Sequence, residues 1–145
     1  MYHKILVPLD GSKRAEAILP HVEELAHRYE AKVVFVQVIE YKVATSPEGA
    51  FTALTDQEFD QIKKRAEAYL AGTQGVFREK KVETKTHIVH GPVVEAILKI
   101  AAQEAADLIA MASHGRGGLS RVFYGSVAAG ILQRIDRPLL IIRSS

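Results

Sequence analysis

Cysteine is absent from this 145-residue chain, which removes disulfide frameworks, thiolate metal sites and cysteine nucleophiles together. Long hydrophobic runs are absent too. No apolar stretch approaches the roughly 20 residues that cross a bilayer as a helix. The chain passes from Met1-Tyr2-His3-Lys4 directly into a short apolar segment ending at Leu9, with no signal-peptide h-region. A cytoplasmic protein without a membrane partner is the expectation. Charge of one sign is equally scarce: 19 basic residues are interleaved with 17 acidic ones, so no basic block announces a nucleic-acid partner. The clusters Lys63-Lys64-Arg65 and Arg78 to Lys81 read as solvated helix faces. Familiar catalytic signatures are missing as well. No G-x-x-x-x-G-K-[ST] is present, Asp10-Gly11-Ser12 does not supply G-x-G-x-x-G, and Ser126 lacks a G-x-S-x-G setting. The six histidines do not group. His87 and His90 stand three apart in an expected strand and so face opposite sides, while His21 and His27 have no partner spacing for a metal.

What the chain does have is 48% apolar and 25% charged residues, a balance that supports one packed domain over residues 1–145 without covalent staples. Ile5-Leu6-Val7-Pro8-Leu9 reads as a buried strand closed by the turn Asp10-Gly11-Ser12. Ala15, Ile18, Leu19, Val22, Leu25, Ala26 and Tyr29 then recur at spacings of three and four, with Lys13, Glu16, Glu23 and Arg28 outside that helical stripe. Val33 to Ile39, broken only by Gln37, fits a strand covered on both faces. Tyr41 to Thr52 carries Ser46-Pro47-Glu48-Gly49 and shows neither period, so it reads as a loop.

A long helix follows, with Phe59, Ile62, Ala66, Tyr69 and Leu70 on its stripe and Val76 and Phe77 continuing it; Gly72 and Gly75 weaken that second half. Val82 to Val89 is a more polar strand, suited to a sheet edge. Pro92 opens a third helix through Val94, Ile97, Leu98, Ala101 and Ala105. Asp107 to Ala112 forms the fourth strand. The fourth helix runs from near Ser126 until Arg137-Pro138 stops it, and Leu139 to Ile142 is the last strand. Strand and helix alternate throughout, which predicts an α/β fold: a three-layer open parallel sheet of five strands with helices on both faces.

Ligands of such sheets sit beyond the strand C-terminal ends, where the winding reverses. A strand order of 3-2-1-4-5 brings Asp10 onto the same rim as the glycine-rich loop from Ala112 to Gly118. An aspartate there can bond a ribose hydroxyl or an adenine amino group, and Gly115, Ser126 and Val127 offer backbone donors to phosphate at a helix N-terminus. His114 lies in that loop as a candidate ligand contact. Asp10-Gly11-Ser12 equally suits a turn and a helix N-cap, and Ser126 suits a phosphate contact or a cap rather than a nucleophile.

These residues resemble the universal stress protein family over essentially the whole chain: the run Ile5 to Ser12, His90-Gly91-Pro92 before a helix, and the segment Ala112 to Val127. The resemblance implies a five-strand parallel sheet of order 3-2-1-4-5, of the adenine-nucleotide α-hydrolase type. The family's ATP-binding members carry G-x2-G-x9-G-[ST]. Here the spacing is kept, with Gly115, nine residues from Arg116 to Tyr124, and Gly125-Ser126, but Ala112 stands at the first glycine. A methyl group there crowds the ligand, or strains the chain by about 1–2 kcal/mol if the backbone is left-handed; in an extended backbone it costs little.

By the same resemblance Pro8, Leu9, Asp10 and Val38 line an adenosine pocket, and Met111, Ala112 and Gly115 follow the ribose and first phosphates. Arg116 either reaches phosphate or is solvated, and Gly125, Ser126 and Val127 hold the terminal phosphates. ATP, ADP or AMP is the implied ligand, with Mg2+ accompanying ATP through phosphate oxygens and water. The implied role is a stress-response or regulatory protein with an unidentified protein partner, no assigned catalytic residue and at most slow ATP hydrolysis. The alternative is a dimeric interaction module of the same family that binds no nucleotide. A homodimer is expected through the apolar terminal edge, Pro138 to Arg143.

Overall fold

The alternation of apolar periods is realised in a computed structural model, which describes residues 1–40, 44–45, 51–52, 55–114 and 125–144. Its principal strands are β1 (Lys4–Pro8), β2 (Lys32–Ile39), β3 (Thr84–His90), β4 (Leu108–His114) and β5 (Leu139–Ser144). The helices are α1 (Leu19–Tyr29), α2 (Asp56–Glu79), α3 (Val93–Gln103) and α4 (Ser126–Arg134). The strands pair in parallel in the order β3-β2-β1-β4-β5, which is the expected 3-2-1-4-5.

Because side chains alternate across a strand, β1 feeds two cores. Ile5 and Val7 pack with Val33, Phe35, Val22, Leu70 and Phe77 under α1 and α2. Leu6 packs with Val34, Val36, Ile97, Ile109 and Ile131 under α3 and α4. Phe35 and Phe77 meet edge to face at 5.1 Å between ring centroids, a favourable quadrupole geometry. The more polar β3 takes a sheet edge, as its composition predicts.

The structure differs from the sequence expectation in several places, each with a local cause. The first helix is split: Ala15–Ile18 is a 3-10 turn and the α-helix starts at Leu19. Pro20, in the first turn of α1, has no N–H to continue an α ladder back into that turn. The α2 helix continues through Gly72 and Gly75, where a Cβ would meet nothing within 4 Å, so packing requires neither glycine. Phe77 is buried there, but Val76 is 49% exposed and lies off the stripe.

Lys81 adopts a left-handed φ of 62° and turns the chain, so β3 begins at Thr84 and Val82 is buried ahead of it. Ala105 is likewise left-handed and exposed, which ends the α3 stripe early. Most consequential, β4 extends through Ser113 and His114, paired with Arg143 and Ser144 of β5. His114 is therefore a strand residue rather than a loop residue; the parallel ladder overrides its low strand preference. Within the expected loop 41–52, Ala44–Thr45 pairs antiparallel with Phe51–Thr52, a ladder too short to leave a period in sequence. Among the described residues no helix is long and apolar enough to cross a membrane.

Candidate functional site

β1 and β4 are neighbours, yet the helix after β1 covers one face and the helix after β4 the other. This reversal opens a crevice at their C-terminal ends. A cleft of about 240 Å³ lies there. Its floor comes from Pro8 and Leu9 at the end of β1, Val36 and Val38 of β2, and Met111 and Ala112 of β4. Val93 and Ile97 of α3 form one wall, Asp10, Ser12, Arg14 and Ala15 a rim, and Gly125 to Ala128 the far end; Glu40 and Ser113 complete it.

At the far end the chain enters α4 through Gly125, whose φ of 80° and ψ of 150° suit glycine. The earliest α4 bond runs from Ala129 N–H to Gly125 O at 3.0 Å. The amides of Ser126, Val127 and Ala128 therefore precede the helical ladder, and the N-cap residue, Gly125, has no side chain with which to cap them. A helix start of this kind presents several N–H donors and the positive end of the helix dipole to an anion.

At the opposite end, Asp10 is exposed and its Oδ1 accepts hydrogen bonds from Ser12 N–H at 2.9 Å and from the Ser12 hydroxyl at 2.5 Å. Ser12 Oγ in turn accepts from Ala15 N–H at 3.1 Å. The two sequence readings of Asp-Gly-Ser thus combine. Ser12 caps the 3-10 turn, and Asp10 holds Ser12 while its carboxylate stands at the cleft rim. Gly11, at φ 85°, makes that tight turn feasible.

Ala112 lies in β4 opposite Ile142 of β5, and it is absent from the described residues with positive φ. Its backbone is extended, so alanine is unstrained at the position where the ATP-binding motif described above has glycine. Of the residues singled out from sequence, Pro8, Leu9, Asp10, Val38, Met111, Ala112, Gly125, Ser126 and Val127 all line the one cleft. His114 stands at the end of β4. Gly115 and Arg116 lie outside the described residues.

Sequence reasoning missed the contribution of Val36, Val93 and Ile97, because periodicity identifies apolar residues as core without saying which sit at a strand end. It also missed a polar cluster at the other end of the sheet. Glu104, only 8% exposed, closes α3 and accepts from Lys85 at 2.8 Å, His87 at 2.6 Å and Lys4 at 3.3 Å. Hydrogen bonds from Lys85 and His87 outweigh the cost of burial and hold its carboxyl down at about 2, from an ordinary 4.5. Burial pushes Asp107 up, but backbone N–H bonds from His3 at 2.8 Å and Lys4 at 3.1 Å prevail and leave it below its ordinary value. Arg137 donates from Nη1 to Ala101 O at 3.0 Å and Ala106 O at 2.7 Å, tying off the end of α3.

The same architecture recurs in known proteins. The universal stress protein MJ0577 of Methanocaldococcus jannaschii is 28% identical over 155 aligned positions, which cover 99% of this chain and 96% of that protein. Its solved structure matches with a TM-score of 0.80 at 28% identity, over 100% of this chain and 98% of the other. A universal stress protein solved in complex with cAMP shares the fold at 22% identity and a TM-score of 0.63, over 99% and 98% of the two chains. The Archaeoglobus fulgidus protein solved with dAMP does so at 19% and 0.68, over 97% and 98%. The model of the universal stress protein family matches residues 1–143. Because that match includes both the doubly wound sheet and the cleft built on it, the chain belongs to the universal stress protein family.

Proposed function

We propose that the switch-point cleft binds an adenine nucleotide, with the nucleoside between β1 and β2 and the phosphates at the start of α4. The observation that carries this reading is the pairing, in one cleft, of an exposed carboxylate at Asp10 with the pre-ladder amides of Ser126, Val127 and Ala128. The apolar surfaces of Val36, Val38, Ile97 and Met111 suit a purine face. Asp10 supplies an acceptor for ribose hydroxyls or an exocyclic amine. A phosphate at the α4 N-terminus gains about 0.3–2 kcal/mol from the helix dipole beyond its hydrogen bonds. Two structural neighbours were solved in complex with cAMP and with dAMP, and both ligands contain the adenine, sugar and phosphate that this arrangement fits.

ATP would extend further along the α4 end. Among the described residues no group of three His, Cys, Asp or Glu could hold a metal, so Mg2+ would be carried by phosphate oxygens and water. Asp10 and Glu40 are the acidic residues of the described lining, and Asp10 Oδ1 is already engaged by Ser12. The function is therefore binding, with at most slow hydrolysis, in a stress or regulatory protein whose occupied and empty states offer different surfaces at the α4 rim. Isothermal titration with AMP and ATP tests it. Saturable heat and a rising melting temperature are expected, since a ligand of the folded state stabilises it by mass action. No heat and no shift at millimolar nucleotide would favour the interaction module without nucleotide.

A second copy of the chain is the proposed cover for β5. This edge strand carries Leu139, Leu140, Ile141 and Ile142, all only half-buried. An apolar open edge invites pairing, and antiparallel addition of the same strand closes it about a two-fold axis. Light scattering should report a dimer, and Leu140→Lys should shift it toward monomer; a wild-type monomer at micromolar concentration overturns this assignment.

A further inference from the structure

Glu16 was expected on the solvent face of the first helix, but it is half-buried. Its Oε2 accepts a 2.7 Å hydrogen bond from the hydroxyl of Tyr69 in α2. Tyr69 packs its ring against the core under α1 and α2, and a phenol in that position needs a partner for its O–H. Burial, the Glu16 bond, and the charges of Glu16 and Asp10 all push its ionisation up, so the hydroxyl stays a donor and lies within electrostatic reach of the Asp10 carboxylate.

The partner it finds belongs to the element that shapes the cleft rim. Glu16 is part of the 3-10 turn Ala15–Ile18, which is short and has no cap from Arg14 before it. A 3-10 turn has poorer hydrogen-bond geometry than the α-helix it leads into here, so its start depends on contacts from outside it. This one starts from Ser12, whose carbonyl accepts from Glu16 N–H at 3.4 Å and whose hydroxyl accepts from Ala15 N–H at 3.1 Å. Ser12 is itself bonded to Asp10. Gln37 of β2 lies beside the preceding Asp10-Gly11-Ser12 turn: a Cβ on Gly11 would lie 4.0 Å from its Nε2.

We infer that Tyr69 is a positioning residue for the cleft. Through Glu16 it fixes the Asp10 to Ala15 segment, and with it the carboxylate and the rim offered to the nucleoside. The inference rests on the proposed nucleotide site, and it gives α2, none of whose residues line the cleft, an indirect hold on ligand affinity.

The test measures AMP binding by titration and amide hydrogen exchange in the ligand-free protein, for wild type, Tyr69→Phe, Glu16→Ala, Glu16→Gln and the double variant Tyr69→Phe/Glu16→Ala. Loss of one charge-assisted hydrogen bond predicts about tenfold weaker AMP binding in Tyr69→Phe and in Glu16→Ala. The double variant should be no weaker than either single one, because one link is removed in all three. Glu16→Gln keeps an acceptor oxygen and should bind within about twofold of wild type. The Ser12 and Ala15 amides should exchange faster in Tyr69→Phe and return toward wild type in Glu16→Gln. A purely structural role would lower the melting temperature of Tyr69→Phe while leaving AMP affinity unchanged, and that result overturns the inference. If wild type binds no AMP, the reading of the cleft fails by itself. The exchange data then still decide whether Tyr69 holds the turn, and unchanged Ser12 and Ala15 exchange overturns it.

Discussion

The two ends of the sheet use the same ingredients, carboxylates, backbone amides and helix termini, toward opposite results. At the N-terminal end these groups are paired within the chain. Glu104 is enclosed by Lys4, Lys85 and His87, Asp107 takes the amides of His3 and Lys4, and Arg137 binds the Ala101 carbonyl of α3 and the Ala106 carbonyl beyond it. At the C-terminal end a carboxylate is exposed and the first amides of α4, behind a glycine N-cap that has no side chain, line a cleft. Internal pairing stabilises the native state, while donors and acceptors held open toward a concave surface are available to a ligand. The difference teaches where to look: the conspicuous charge network is structural, and the sparse rim is the candidate site.

If that division is right, changes at the first end move stability and changes at the second move affinity. The largest expected effect is from Arg137→Ala, which strips two carbonyls of a charged donor and should cost about 2–3 kcal/mol of unfolding free energy. AMP affinity should stay within about twofold; a larger loss in titration would show the ends to be coupled. Glu104→Gln comes next, at about 1–3 kcal/mol, less than for a fully enclosed pair because Lys85 can regain water. The native carboxyl is held at about 2 against an ordinary 4.5. Its contribution is therefore complete above the ordinary value and fades as pH falls from there toward 2. Urea unfolding should show wild type and variant well separated at about pH 7 and nearly level at about pH 2.

At the other end, Asp10→Ala should weaken AMP binding by about tenfold while costing no more than about 1 kcal/mol of stability, since the carboxylate is exposed. Equal binding in titration would remove Asp10 from the nucleoside end. The smallest effect is expected from Ala112→Gly. Because the backbone is extended there, restoring the family glycine should change affinity less than about threefold and lower stability by about 0.5–1 kcal/mol. A tenfold gain in affinity would instead show that the Ala112 methyl group crowds the ligand.

Much of this architecture is legible in the order of residues. The near-continuous apolarity of Val33 to Ile39 and the three-and-four spacing from Ala15 to Tyr29 identify a doubly covered strand and an amphipathic helix, and both are present, the helix as an α-helix from Leu19 onward. Failures cluster where a neighbour overrides local preference. His114 joined β4 because β5 offered a partner for it. Glu16 faced α2 because a 3-10 turn rotates side chains differently from the α-helix its spacing implied. The Glu104 cluster left no signal, since its members come from positions 4, 85, 87 and 104 with no shared motif.

By itself, then, the sequence determined which segments are strands and helices, which faces are apolar, and that a glycine must stand before α4, because these depend on local period and backbone freedom. Only the tertiary structure decided that Val93 and Ile97 wall the cleft, that Ala112 is extended rather than left-handed, and that Tyr69 reaches Glu16. Those facts depend on strand order and on which elements meet across the sheet, and burial and pairing over long separations are not encoded in any single stretch of the chain.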